Sequence, residues 1–213
     1  MYMFKNSLPR LDGKIRFLHA VPNAPNVDVY ANEKLVYSNL PFGKITDYLS
    51  IAPGTYNIKI FKAGTTDNNL FSDSVDIVPN SISTAAVTSQ NNQIKYFIIN
   101  DSHIRESNPQ LSSVRFINLS ANAPLLSLSL PNDNTLFNQA SYLETNNYYP
   151  MSPGIYDFMV SSSEGNFSKY ISDVNLTKNL FVTIYIIGVY KSSPPLGYVL
   201  VKDGAMQRND EVL

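Results

Sequence analysis

The sequence predicts an all-β protein built as two tandem β-sandwiches. Three observations carry that prediction. The stretch RFLHAVPNAP, Arg16 to Pro25, returns as RFINLSANAP, Arg115 to Pro124. Two further echoes keep nearly the same offset: Ala52-Pro53-Gly54-Thr55-Tyr56 against Ser152-Pro153-Gly154-Ile155-Tyr156, and Val75-Asp76-Ile77 against Val174-Asn175-Leu176. An offset of roughly a hundred residues is too long for a solenoid or propeller repeat and matches one small sandwich domain. Finally, short alternating strands punctuated by Pro, Gly and Asn recur throughout, and no window sustains a helical period with caps.

The elements follow in order. Ile15 to His19 alternates and is rich in β formers, and Pro22-Asn23-Ala24-Pro25 turns the chain because two prolines fix φ and remove donors. Val27 to Tyr30 is a second strand. Asn32-Glu33 makes a tight turn into Leu35 to Tyr37, and Pro41-Phe42-Gly43 turns again into a strand over Ile45 to Ile51. Pro53-Gly54 forms a corner before Tyr56 to Phe61, and Ala63 to Asn69 is a polar loop. Val75 to Ile77, Ser83 to Thr88 and Ile94 to Ile99 complete the first half. The second half reads as strands at Val114 to Leu119, Leu126 to Leu130, Tyr142 to Tyr149, Tyr156 to Val160, Val174 to Leu176, Phe181 to Ile187 and Tyr198 to Val201. The domains so defined are 14–101 and 114–203, joined by a polar linker over 102–113.

Composition narrows the function classes. Hydrophobic residues make up 44% and aromatics 12% of the 213 residues, enough for a working core in each half. Only 15% is charged, against about 25% in an average domain. The polar surface must then come from Asn, Ser, Thr and Tyr. Such a surface suits extracellular, coat or sugar-facing proteins, and a low-GC genome enriches the same residues. A net charge of −1 with no basic stripe argues against nucleic acid. There is no cysteine, hence no disulfide or thiolate chemistry, which leaves the compartment open. MYMFKNSLPR lacks an apolar core of signal-peptide length, so ordinary secretion is not expected from these residues. The longest apolar run, Leu180 to Tyr190, is broken by Thr183 and Gly188, and no stretch reaches the roughly 18 residues of a membrane span.

The first half resembles the DUF4397 family, a bacterial domain of unknown function. The resemblance rests on Ile15-Arg16-Phe17-Leu18-His19-Ala20-Val21-Pro22-Asn23-Ala24-Pro25, on Val27-Asp28-Val29-Tyr30, and on Pro41-Phe42-Gly43, Asp47-Tyr48-Leu49 and Pro53-Gly54-Thr55-Tyr56. The second half is a divergent copy. It keeps Val114-Arg115-Phe116, Asn122-Ala123-Pro124 and Pro153-Gly154-Ile155-Tyr156 but carries Asn118 for His19, Ala121 for Pro22 and Ser127 for Asp28. The resemblance implies immunoglobulin-like sandwiches, often in tandem and surface-associated or exported. It supplies no activity.

Candidate binding residues are His19, Asn23, Asp28, Tyr148 and Tyr149. His19 and Asp28 flank the Pro-Asn-Ala-Pro turn on successive strands and could meet across a hairpin, a device for catalysis or metal binding, or they could pin the turn through backbone hydrogen bonds. Loss of both in the second copy fits either reading. No metal site is expected: zinc needs three or four ligands and the chain has only His19 and His103. Gly64 to Asn69 and Asn132-Asp133-Asn134 offer oxygens but lack the spacing of a calcium loop. No Gly-x-Ser-x-Gly elbow, nucleophilic Cys or phosphate-cradling loop occurs, so neither catalysis nor a cofactor is expected. Fourteen Tyr and no Trp make tyrosine the remaining lead. Tyr56 and Tyr156 sit two residues beyond a Pro-Gly corner and read as corner tyrosines. Tyr148 and Tyr149 are adjacent, so if one enters the core the other must leave it.

The expected function is a non-catalytic binding or structural module of the bacterial cell surface or envelope. The alternatives are a carbohydrate-binding adhesin using exposed Tyr and Asn, and a self-assembling spore-coat or surface-layer subunit. The expected partners are cell-wall polysaccharide, another protein or further copies of the chain.

Overall fold

The computed structural model describes residues 11–91, 93–102, 108–132 and 134–204. His103 and Asp133 lie outside these. The first sandwich holds β1 (Gly13–His19), β2 (Val27–Ala31), β3 (Lys34–Leu40), β4 (Leu49–Ile51), β5 (Gly54–Lys62), β6 (Asn69–Ile77), β7 (Ile82–Gln90) and β8 (Gln93–Asn100). The second holds β9 (Ser112–Asn118), β10 (Leu126–Ser129), β11 (Thr135–Ala140), β12 (Tyr149–Met151), β13 (Gly154–Ser162), β14 (Ser168–Leu176), β15 (Phe181–Ile187) and β16 (Gly197–Lys202).

Each sandwich packs two four-stranded sheets. The first has the orders β4-β1-β7-β8 and β3-β2-β5-β6, and the second repeats them as β12-β9-β15-β16 and β11-β10-β13-β14. Pairing is antiparallel except at the centre of one sheet in each copy, where β1 runs parallel to β7 and β9 to β15. Alternation explains the two cores. Ile15, Phe17, Val27, Val29, Ile58, Ile60, Ala85 and Val87 fill the first, and Val114, Phe116, Leu126, Leu128, Phe158, Val160, Ile184 and Ile186 fill the second.

A third core lies between the sandwiches. The other faces of β1, β7, β9 and β15 are also apolar, and Leu18, Ala20, Ala86 and Ile99 of the first copy pack with Ile117, Leu119, Tyr185 and Ile187 of the second. Strands buried on both faces read as near-continuous apolar runs, and β9 and β15 are buried at every position.

Three sequence readings change. Ile45 to Ile51 is not one strand: Ile45 makes an isolated bridge to Leu18 and only β4 pairs further along. Between them the Thr46 amide donates to the Phe17 carbonyl and the Thr46 hydroxyl accepts from the Phe17 amide, so the ladder is replaced locally and Tyr48 turns inward. Tyr142 to Tyr149 behaves likewise, with a bridge at Tyr142 and a strand only from Tyr149. Finally, β11 has no counterpart in the sequence reading, because Thr135, Asn138 and Gln139 dilute its apolar signal.

Candidate functional site

His19 and Asp28 are not brought together. Their strands belong to opposite sheets, so the Pro-Asn-Ala-Pro segment crosses between sheets and makes no hairpin. The buried His19 ring accepts at Nδ1 from the Val21 amide (3.3 Å) and its Nε2 lies 3.1 Å from the Pro25 carbonyl oxygen, so Nε2 carries the proton of a neutral imidazole. Burial lowers its pKa, offset in part by the Pro25 bond. Asp28 accepts from the amides of Asn39 (2.7 Å) and Gly64 (2.8 Å). The first bond holds the bulge where β2 slips against β3, with Asn39 at φ +56°.

The second copy shows what these bonds are for. Asn118 replaces His19 and its Oδ1 accepts from the Ser120 amide. Ser127 replaces Asp28 and its hydroxyl accepts from the amide of Gln139, a residue at φ +53° in the matching bulge. Shorter side chains keep one bond of each, that to the amide two residues on in the turn and that to the amide in the bulge. The geometry of His19 and Asp28 is therefore that of backbone pins.

Asn23, at φ +61°, donates from Nδ2 to the Ser193 carbonyl of the second copy (3.0 Å), so it ties the two sandwiches together. Tyr149 is 41% exposed, while its neighbour Tyr148 turns inward. Tyr56 and Tyr156 donate to the carbonyls of Ala52 (3.0 Å) and Ser152 (2.9 Å), four residues upstream, and close their corners as expected.

Tyr148 leads to the chemistry that sequence reasoning missed. Two arginines and two aspartates, all buried, meet between the sandwiches. Arg16 donates from Nε to the Thr84 hydroxyl (2.8 Å), from Nη1 to the Lys202 carbonyl (2.9 Å) and from Nη2 to Asp203. Arg115 does the same with Thr183 (2.9 Å), the Asn100 carbonyl (3.0 Å) and Asp101. Asp101 also accepts from Thr84 (2.6 Å) and Tyr48 (2.9 Å), and Asp203 from Thr183 and Tyr148 (2.8 Å). Each guanidinium lies 4.4 Å from a tyrosine ring centroid, Arg16 over Tyr48 and Arg115 over Tyr148. Burial lowers the pKa of either arginine, but nearby groups more than offset it: Asp203 and Tyr48 lead for Arg16, Tyr148 and Tyr185 for Arg115. Both stay above the ordinary value and charged. Burial and the neighbouring carboxylates push Tyr48 and Tyr148 up, so both remain protonated donors. The signal was present in the sequence: one arginine inside an otherwise apolar strand, in both copies.

A different feature separates the copies at their open sides, where edge strands face each other. Between β6 and β8 the first copy is sealed: the Phe71 and Tyr96 rings meet edge to face with centroids 5.4 Å apart, and the Tyr96 hydroxyl donates to the Ser74 carbonyl. Between β14 and β16 the second copy is open. Tyr198, which stands where Tyr96 does in the register, is 39% exposed, and Ile171 of β14 lines the same opening. A groove of about 420 Å³ results, floored by Val174, Leu180, Val182 and Leu200 and rimmed by Asp173, Asn175 and Lys202. Among the described residues, no group of three or more His, Cys, Asp or Glu side chains is placed to hold a metal ion.

The model of DUF4397, a domain of unknown function, matches residues 13–129, which is more than half of the chain. The chain belongs to the DUF4397 family. The match runs through the whole first sandwich and ends in β10 of the second. No curated protein matches the chain significantly. The stretch Arg16 to Pro25, part of the text that carries the DUF4397 resemblance, thus supplies one arginine of the buried network and the turn pinned by His19. Among the described residues no helix is long and apolar enough to cross a membrane.

Proposed function

We propose that this DUF4397 protein is a non-catalytic binding module of the bacterial cell envelope, and that the groove between β14 and β16 takes its ligand. The observation that carries the reading is the difference between copies: the Phe71–Tyr96 seal of the first has no equivalent beside Tyr198. The envelope setting is supported by the family resemblance and by the low charge of the chain.

The lining favours an extended polypeptide as ligand. Its floor is aliphatic and holds one aromatic ring, Tyr198, which is a poor platform for successive sugars. β14 and β16 are the edge strands of their sheets, so their outer backbone groups are available for strand addition. A peptide with alternating apolar side chains would bond to one edge and place every second side chain in the groove.

Panning a peptide-display library against the full chain tests this. The expected result is enrichment of peptides with alternating apolar residues whose binding weakens at least tenfold in Leu200→Glu and in Ile171→Phe, the latter adding bulk on the β14 side of the groove. Equal binding to wild type and both variants overturns the assignment. A strand supplied by a second copy of the chain would instead appear as concentration-dependent growth in light scattering, lost in the same variants.

A further inference from the structure

The contacts between the sandwiches obey a two-fold relation. Arg16 reaches Asp203 while Arg115 reaches Asp101; Arg16 reaches the Lys202 carbonyl while Arg115 reaches that of Asn100. Tyr48 and Thr84 hold the aspartate of their own copy, as Tyr148 and Thr183 hold theirs. Leu18 and Ala20 stand where Ile117 and Leu119 do. An interface in which the same patch serves on both sides, with roles exchanged, is isologous. It is the kind of surface through which a domain recognises another copy of itself.

The largest difference in side-chain size within this relation falls at one position. Leu18 pairs with Ala86 in the first copy, and the matching Ile117 pairs with Tyr185 in the second. Both side chains are fully buried in the shared core. Tyr185 belongs to the buried cluster between the sandwiches, and among the described residues its hydroxyl has no hydrogen-bond partner. Its ring packs in the same buried cluster as Ala86.

We infer that the face built on β1, β7 and β8 is a self-recognition surface whose partner is a non-identical copy of the same domain, and that Ala86 and Tyr185 set which copy it accepts. Alanine against tyrosine fills the interface. Alanine against alanine leaves a void, and tyrosine against tyrosine overpacks it. The first sandwich therefore selects the second over another first, and the second likewise rejects its own kind. This keeps the recognition surface paired within the chain and leaves the outer sheets and the groove free.

The intact chain can present all three combinations. Tyr185→Ala imposes the alanine pair, Ala86→Tyr imposes the tyrosine pair, and Ala86→Tyr with Tyr185→Ala restores the unlike pair with sides exchanged. Urea unfolding followed by far-ultraviolet circular dichroism is expected to show a lowered midpoint in each single variant. The exchanged double variant should recover at least half of the larger loss. Tyr185→Phe, which removes only the unbonded hydroxyl, is the control and should unfold at or above the wild-type midpoint. A double variant that is insoluble, or that unfolds no later than the weaker single variant, overturns the inference, as does a Tyr185→Phe midpoint well below wild type.

Discussion

Asp101→Asn is the sharpest probe of what joins the two sandwiches. Asp101 is fully buried and receives three donors: the Thr84 hydroxyl, the Tyr48 hydroxyl and Nη2 of Arg115. Asparagine keeps the shape but removes the charge and turns an NH₂ group toward donors. Arg115, 2% exposed, would then have only Asp203 at 3.7 Å, already bonded to Arg16, so two guanidiniums would share one carboxylate. Breaking a buried pair by removing one partner costs about 3–5 kcal/mol, because the remaining charge has no solvent to return to. At about 2–4 °C per kcal/mol for a chain of this size, the melting temperature should fall by roughly 6–20 °C. An exposed pair would cost about 0.2–1 kcal/mol. The assay is urea unfolding read by circular dichroism and tyrosine fluorescence, since the chain has no Trp. Adding Arg115→Met to Asp101→Leu removes both charges, and the loss should fall well below the sum of the two single variants. A cost under about 1 kcal/mol for Asp101→Asn, or strict additivity in the pair, would refute the reasoning.

Other predictions concern the rest of the frame. The sandwiches share a core, so the wild type should unfold in a single transition by circular dichroism and calorimetry; two resolved transitions would show that the shared core does not couple them. His19 is neutral and its pKa is lowered by burial, so its contribution is complete above the unfolded value of 6.5 and is lost as pH falls from there toward the folded value. His19→Asn, the residue of the second copy, should reduce the loss of stability between about pH 7 and pH 5 relative to wild type, and an unchanged slope would contradict the neutral assignment. Tyr56→Phe and Tyr156→Phe each remove one corner bond and should each cost about 0.5–1.5 kcal/mol in urea unfolding. Gly188 sits at φ +99°, and a Cβ there would lie 2.3 Å from the Pro195 carbonyl oxygen, so Gly188→Ala should cost at least about 1–3 kcal/mol; a neutral change would mean that the loop yields easily.

The candidate residues were legible to different degrees, for physical reasons. Asn32-Glu33 was readable as a tight turn, and both residues take positive φ as a two-residue hairpin requires. The corner tyrosines were readable because their bonds span four residues. Tyr148 and Tyr149 were readable only as a pair that must part; which one turns inward depends on Asp203, 55 residues away. His19 and Asp28 were misplaced as neighbours because adjacency in the chain cannot say whether a turn pairs two strands or carries the chain between sheets. Their backbone bonds are partly kept in the second copy, where Asn118 and Ser127 hold the matching turn and bulge amides with shorter side chains.

The sequence alone determined the duplication, the all-β class and most strands, since these depend on local alternation and on turn residues repeated at one offset. It could not determine what the repeated arginine does. A charge in an apolar strand is costly unless it is answered, and Arg16 is answered 187 residues later by Asp203. Nor could it show that Phe71 and Tyr96 seal one copy while Tyr198 leaves the other open. Pairing of buried charges and closure of a sandwich edge are contacts between distant segments, and only the tertiary structure decides which segments meet.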